Sequence, residues 1–212
     1  NKALERAQQK VESRNFDVRK TLLKFDNVLN DQRQVIFEQR RKIISDKDGF
    51  NFTDDFIDEI NQDLIKKKQQ YLINPNNNIF KNKFKKIYGR IFNEDEFSEL
   101  VKKPDGEFLE LINNKYLSVK KERITLLGKK NYEDIEKKFF LQVIDQNWKM
   151  HIQYLEQLRQ VIGLRSYGNR DPLIEYKKEA FSLFENLLEK LKTDFVTIIA
   201  NISIIQDNNN QI

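Results

Sequence analysis

The sequence predicts an all-α protein in which a long helix and an antiparallel two-helix hairpin flank a small helical lobe. Leu, Ile, Val and Phe recur in steps of three and four over long stretches, which is the spacing of amphipathic helices. The 212 residues include only six Gly and three Pro, so few positions interrupt a helix. Charged residues make up 33% of the chain, which suits helices with large exposed faces better than a compact sheet protein.

The first predicted element is one long helix over residues 1–45, a stretch without Gly or Pro. Its apolar residues recur at helical spacing and are Val11, Val18, Leu22, Phe25, Leu29, Ile36 and Ile43. Asn15, Gln32 and Gln39 interrupt this stripe, which disfavours a homodimeric coiled coil and favours a helix that contacts several different surfaces. Because Asn1 lacks a capping signal, we expect the helix to begin further upstream in a longer protein.

A small lobe of short helices is predicted for the middle of the chain, over residues 49–128. Thr53 is a candidate N-cap for its first helix, and Asn93 with Glu96 is a candidate capping box. Gly128 marks the end of the lobe. Several Phe-rich helical faces in this stretch indicate a core of its own.

Residues 129–206 predict a hairpin of two long helices, and residues 207–212 form a polar tail. The apolar stripes of the two helices are Leu141, Ile144, Trp148, His151, Leu155, Leu158 and Ile162, and then Ala180, Phe184, Leu187, Leu191, Ile198, Ile202 and Ile205. Trp148 and His151 lie on the first stripe, so we expect both to be packed in the core.

The loop that joins the two hairpin helices, residues 163–172, has an unusual composition. Asp171 and Pro172 predict the start of the second helix, because Asp accepts from free amide groups and Pro lacks one. Arg165 and Tyr167 have no such structural explanation. A tyrosine at a projecting tip either folds back onto its own hairpin or contacts a partner, and the residues alone support both readings.

The chain is basic, with 38 Lys and Arg against 33 Asp and Glu and a formal net charge of +5. A basic surface can bind nucleic acid, anionic lipid or an acidic protein. We interpret most of these charges as a solvated face, since the two signs are interleaved along the helices. A nucleic-acid function rests on the basic charge alone, because no RNA-binding signature is found.

Catalytic and metal-binding signatures are missing from the sequence. The chain has no Cys and one His, so it offers neither a thiol nucleophile nor a Cys- or His-rich metal site. Gly163 and Gly168 have the spacing of a phosphate-binding loop, but Asn169 and Arg170 stand where Lys and Ser or Thr are needed. We therefore expect no catalytic residue, no metal site and no cofactor in this chain.

The chain closely resembles SecA, the bacterial preprotein translocase ATPase, over two stretches. Residues 7–44 read AQQKVESRNFDVRKTLLKFDNVLNDQRQVIFEQRRKII, and residues 141–181 read LQVIDQNWKMHIQYLEQLRQVIGLRSYGNRDPLIEYKKEAF. The matching motifs are Arg14-Asn15-Phe16-Asp17, Asn30-x-Gln32-Arg33, Trp148-x-x-His151 and the loop from Arg165 to Pro172. The middle of the chain is similar only in position and helical character. At the loop, Val161, Ser166, Gly168 and Asn169 depart from the family's usual residues.

The resemblance implies a division into the parts of the SecA C-terminal region. Residues 1–48 would be the long scaffold helix, residues 49–128 the helical wing, and residues 129–206 the two-helix finger with its tip loop at 163–172. The finger tip would contact the translocating polypeptide and the channel through Arg165, Ser166, Tyr167, Gly168, Asn169 and Arg170. The scaffold helix would contact the motor domains through Arg14, Asn15, Asp17, Arg19, Asp26, Asn30 and Arg33.

The resemblance also implies partners and a place in the cell. These are the SecY/SecE/SecG channel, an unfolded preprotein, the parent protein's own nucleotide-binding and preprotein-binding domains, anionic phospholipid and a second copy of the parent. ATP and Mg would belong to motor domains upstream, so this chain by itself is expected not to hydrolyse ATP. The bacterial cytoplasm and the cytoplasmic face of the inner membrane would be its location. The alternative is a free-standing helical adaptor or coiled-coil protein.

Overall fold

A computed structural model describes residues 2–45, 52–163 and 171–204 of the chain. These residues form seven α-helices and no β-strand, which confirms the all-α prediction. The helices are α1 (Lys2–Ser45), α2 (Phe52–Ile73), α3 (Ile79–Tyr88), α4 (Glu94–Val101), α5 (Asp105–Leu127), α6 (Lys129–Ile162) and α7 (Pro172–Asn201).

Two helix starts follow the predicted capping chemistry. At α4, the Asn93 side chain accepts from the Glu96 amide at 2.8 Å, and the Glu96 carboxylate accepts from the Asn93 amide at 2.9 Å. This is the predicted capping box. At α7, the Leu173 amide donates to the Asp171 carboxylate at 2.8 Å, so the helix begins at Pro172 as predicted.

The prediction that Thr53 caps α2 is wrong. The helix begins at Phe52, so Thr53 lies inside the first turn, and its side chain is fully buried. An N-cap residue precedes the first helical residue, and Thr53 follows Phe52 within the helix, so it does not hold that position. Its position instead depends on tertiary packing, which the local pattern of residues does not report.

The chain divides into two compact units. Unit 1 comprises Asn1–Lys42 and Ile144–Glu189, and unit 2 comprises Ile43–Val143 and Lys190–Ile212. Helices α1, α6 and α7 each contribute residues to both units. The finer domain boundaries, at 48, 128 and 206, stay a prediction.

Unit 1 is built from parts of three helices. Its core consists of Leu155, Leu158 and Ile162 from α6 with Tyr176 and Ala180 from α7, and Phe25, Val28 and Leu29 of α1 pack against it. The Phe25 and Tyr176 rings meet edge to face, with centroids 4.9 Å apart. The late residues of α6 meet the early residues of α7, so the two helices run antiparallel within this unit.

Unit 2 has a core rich in aromatic side chains, most of them from α3, α4 and α5. The Phe84 ring lies 5.0 Å from that of Phe97 and 5.6 Å from those of Tyr88 and Phe92. The Phe80 ring lies 5.7 Å from that of Phe97. Large apolar rings let short helices bury enough surface to pack stably, which explains the high Phe content of this part of the chain.

Lys68 is an exception to the interpretation of the lysines as a solvated face. It is buried in unit 2, where its ammonium group donates to the Lys103 carbonyl at 2.6 Å and to the Asp105 carboxylate at 2.7 Å. The same group lies 5.1 Å above the Phe108 ring. Lys68 therefore holds the turn between α4 and α5 against α2 through a paired and hydrogen-bonded charge.

Arg123 caps the C-terminal end of α7 in unit 2 by hydrogen bonds to backbone carbonyls. Its guanidinium donates to the carbonyls of Ile199 at 2.6 Å, Ala200 at 2.9 Å and Ile202 at 2.7 Å. These carbonyls come at or just beyond the last turn of the helix, where intrahelical donors run out. A single buried side chain on α5 therefore satisfies three acceptors that would otherwise be left without donors.

We expect Arg123→Met to destabilise unit 2 by about 3 kcal/mol, because it leaves three carbonyls without their charged donor. Urea unfolding followed by circular dichroism measures the change. Lys121→Met is the matched control, since Lys121 is exposed on the same helix and its loss should change stability by less than about 0.5 kcal/mol. Equal effects of the two substitutions would contradict this role of Arg123.

Candidate docking helix and three-helix junction

The first half of α1 is exposed throughout. Every residue over 2–24 is exposed, although the stretch carries the apolar side chains Leu4, Val11, Val18 and Leu22. From Phe25 onward the same helix packs within unit 1. The apolar stripe that is covered in the second half of α1 thus continues, uncovered, along its first half.

A second apolar stripe lies on the other side of this exposed half. Phe16 and Leu23 are seven residues apart and each is 61% exposed. Successive residues of an α-helix are rotated by about 100° about its axis. Phe16 is therefore about 200° from Val18, and Leu23 about 200° from Phe25, so each pair lies on nearly opposite sides of the helix. A helix with apolar side chains on two sides is typical of one that is covered by partners on more than one side.

The predicted motor-contact residues divide into two groups along α1. Arg14, Asn15, Asp17 and Arg19 are all exposed in the first half of the helix. Their contacts are local: Arg19 donates to the Asn15 carbonyl at 3.3 Å, and the Thr21 hydroxyl donates to the Asp17 carbonyl at 2.9 Å. These four side chains are therefore free to meet a partner surface beside the apolar stripes.

The other three predicted residues lie where α1 packs within unit 1. Asp26 accepts from Arg159 of α6 at 3.0 Å, so this carboxylate already holds two helices together. Arg33 donates to the Asn30 side chain at 3.5 Å within α1. The resemblance implies one contact set of all seven residues, and within it Asp26 differs from the exposed group because it is paired with Arg159.

Gln32 connects all three helices of unit 1. Its amide nitrogen donates to the Ala180 carbonyl of α7 at 3.0 Å, and its amide oxygen lies 2.8 Å from Nε2 of His151 on α6. Because the Gln32 oxygen can only accept, the hydrogen-bond pattern assigns the ring proton to Nε2 of His151. We call this set of three residues the three-helix junction.

His151 is in an apolar environment that keeps it neutral. Its side chain is 3% exposed, and its ring lies 5.5 Å from the Trp148 ring and 5.8 Å from the Phe184 ring. Burial lowers the pKa of His151 to about 4, because the charged imidazolium would lose its hydration there. The prediction that Trp148 and His151 belong to the core is confirmed.

The junction was not foreseen as a unit. In the sequence, the one indication of the junction is that Gln32 is a polar residue inside an apolar stripe. A buried amide needs both a donor and an acceptor, which could have pointed to a polar partner on another helix. Periodicity does not identify that partner, because His151 lies 119 residues away along the chain.

The predicted finger-tip residues Arg165, Ser166, Tyr167, Gly168, Asn169 and Arg170 lie outside the described residues. The structure does describe the helix ends on either side of them. Ile162 and Tyr176 are both buried in the unit 1 core, and Asp171 forms the start of α7. The described residues that flank positions 164–170 therefore belong to the packed part of unit 1.

The described ranges contain no group of three or more His, Asp or Glu residues that could hold a metal ion. Nor does any of the described helices have the length and apolar character needed to cross a membrane. What these residues offer is a helix with uncovered apolar faces that is joined by a buried polar junction to two other helices.

Comparison with known proteins identifies the family of the chain. A family model described as the SecA Wing and Scaffold domain matches residues 1–203. The chain belongs to the SecA family. The resemblance seen in two stretches therefore extends over nearly the whole chain.

Individual SecA relatives support this assignment. The chain is 58% identical to the protein translocase subunit SecA of Pelagibacter ubique over 207 residues, which are 98% of the chain and 24% of the relative. It is 38% identical to SecA 1 of Rhodopseudomonas palustris over 97% of the chain and 22% of the relative. A SecA of Bradyrhizobium diazoefficiens shows the same values. The chain spans about a quarter of the length of these relatives.

We expect the stability of unit 1 to fall as the pH drops from about 6.5 to 4. The folded pKa of His151 lies below its ordinary value, so the unfolded chain takes up a proton in this window and the folded chain does not. The loss is on the order of 3 kcal/mol at pH 4. Thermal unfolding of the wild type and of His151→Gln at a series of pH values measures it.

The difference in stability between the wild type and His151→Gln at each pH gives the contribution of His151, because the carboxylates that also titrate at low pH are present in both proteins. His151 is the only histidine of the chain, so its imidazole signals can also be followed directly by NMR. A His151 that titrates near its ordinary pKa, or a wild type and variant with parallel pH profiles, would contradict the buried neutral assignment.

Proposed function

We propose that the chain is the scaffold and wing part of a SecA protein translocase subunit. In that role it couples ATP-driven motion of motor domains to the movement of unfolded preprotein through the SecY channel. The observation that supports this most strongly is the two-part character of α1. One half packs against α6 and α7, and the other half is exposed with apolar side chains on two sides.

The partner of the exposed half would be the rest of the same protein. SecA relatives are about four times as long as this chain, so large parts of a parent protein are available to cover the stripes. Arg14, Asn15, Asp17 and Arg19 would add polar contacts to the nucleotide-binding and preprotein-binding domains. An interface with an apolar centre and charged side chains at its rim is stable and specific.

Coupling would pass through the three-helix junction. A displacement of α1 stretches the bonds of Gln32 to His151 and Ala180 and the pair between Asp26 and Arg159. Because packed interiors are dense and resist deformation, the finger helices of unit 1 would follow α1 rather than separate from it. ATP and Mg²⁺ would act in the motor domains, and this chain would supply the transmission.

The working end would be the loop between α6 and α7. Tyr167, with Arg165, Ser166, Gly168, Asn169 and Arg170, would contact the preprotein at the mouth of the SecY/SecE/SecG channel. Work at that channel would put the protein at the cytoplasmic face of the bacterial inner membrane, where its basic charge would favour anionic phospholipid. The alternative of a free-standing adaptor is not favoured, since the family match covers residues 1–203.

We expect residues 1–203 to support transport when they replace the matching segment of the Pelagibacter ubique SecA. ATP-dependent translocation of a preprotein into inner-membrane vesicles measures this. In that chimera, Val18→Glu should reduce transport at least tenfold, because it puts a charge into the apolar docking stripe, whereas Lys20→Glu on the same exposed half should have little effect. An inactive chimera, or a Val18→Glu variant as active as Lys20→Glu, would contradict the proposal.

A cysteine at Tyr167 in the same chimera should crosslink to a stalled preprotein. The expectation rests on the position of Tyr167 in the loop between the two finger helices. Cysteine at Ser166 tests a neighbouring tip position, and cysteine at Lys178, exposed on α7, is the control away from the tip. Crosslinking from 178 but not from 167 would place the polypeptide path elsewhere.

A further inference from the structure

A cluster of buried polar groups in unit 2 has no part in the proposed transport role. The hydroxyls of Thr53 on α2, Tyr116 on α5 and Tyr132 on α6 lie near the carboxyl group of Glu136 on α6. All four side chains are buried, with Glu136 only 2% exposed. The three hydroxyls and Oε1 of Glu136 make no hydrogen bond of standard geometry to another described residue.

Burial of this kind favours the protonated form of Glu136. An ionised carboxylate inside a protein loses its hydration, and this loss must be offset by a cation or by several donors. The loss of hydration raises the pKa of Glu136 to about 7, although Lys120 and the hydroxyls of Tyr132 and Thr53 act in the opposite direction. Glu136 is therefore partly protonated at neutral pH.

The charged groups around Glu136 come from the same three helices. Among the described residues, Lys120 on α5 favours its ionisation and Asp54 on α2 opposes it, and Arg123 acts on the neighbouring Tyr132. Lys120 is already engaged, since its ammonium group lies 2.7 Å from the Asp54 carboxylate. Lys120 thus forms an ion pair with Asp54 at the start of α2 and also interacts electrostatically with Glu136.

We propose that Glu136 is a proton-binding site that makes the packing of the first turn of α2 onto α5 and α6 sensitive to pH near neutrality. With its proton, Glu136 can donate to one hydroxyl and accept from another, and Lys120 stays with Asp54. Without the proton, the carboxylate competes with Asp54 for Lys120. The start of α2 then loses its ion pair to α5, and Thr53 lies next to a buried charge.

The folded chain binds a proton at Glu136 more tightly than the unfolded chain does, and this determines how the packing of α2 depends on pH. The folded pKa of Glu136 lies above its ordinary value, so the closed form is stabilised at low pH and loses that stabilisation as the pH rises through about 7. The equilibrium constant for opening this turn should then increase about tenfold between pH 6 and pH 8. This direction is opposite to that of His151 in unit 1, so the two groups can be told apart.

Two measurements on the folded chain test the proposal. Hydrogen exchange of the amides of residues 56–59, which bond to the carbonyls of the first turn of α2, should show the tenfold increase in the wild type after correction for intrinsic exchange. It should show none in Glu136→Gln, which keeps the shape of the side chain without the titration. Asp134→Asn, at an exposed position on the same helix, is the matched control and should behave like the wild type.

The carboxyl carbon signal of Glu136 in the NMR spectrum provides a readout that does not depend on any variant. We expect it to titrate near pH 7. A signal that titrates as in an ordinary glutamate, or an exchange profile in Glu136→Gln that follows the wild type, would overturn the proposal.

Discussion

The amide of Gln32 is the contact on which unit 1 depends most. It uses its donor on the Ala180 carbonyl and its acceptor on His151, so one α1 side chain meets both α6 and α7. An apolar residue of similar size would pack in the same space but would leave the His151 N–H without an acceptor, at a cost of about 1–3 kcal/mol. The apolar side chains around Gln32 therefore stabilise unit 1 by burying surface, and Gln32 links α1 to α6 and α7 by hydrogen bonds.

The helices themselves could be predicted well from the sequence, because periodicity and capping are local properties. The starts of α4 and α7 follow from Asn93 and Asp171, whose side chains accept from amides two or three residues away. The even spacing of the apolar residues in α1 likewise predicted a helix that extends to Ser45.

The polar interior could not be predicted in the same way. Lys68, Thr53 and Glu136 look like surface residues in the sequence, and each is buried by helices that are distant along the chain. Their environment depends on which helices pack together, and neither composition nor charge pattern reports this. The exposed half of α1 is the reverse case: its stripe predicted a covered face, and among the described residues that face is exposed.

Polar contacts in unit 1 also define the axial position of α1 against its neighbours. Leu, Ile and Phe side chains repeat every three or four residues, so a shift by one helical turn, about 5.4 Å, would leave much of their packing intact. The same shift would break both bonds of Gln32 and the pair between Asp26 and Arg159. We infer that these few polar groups make one position of α1 more stable than its neighbours. The proposed coupling role would require such a fixed position, because an α1 stripe that could slip would lose a displacement before it reached α6 and α7.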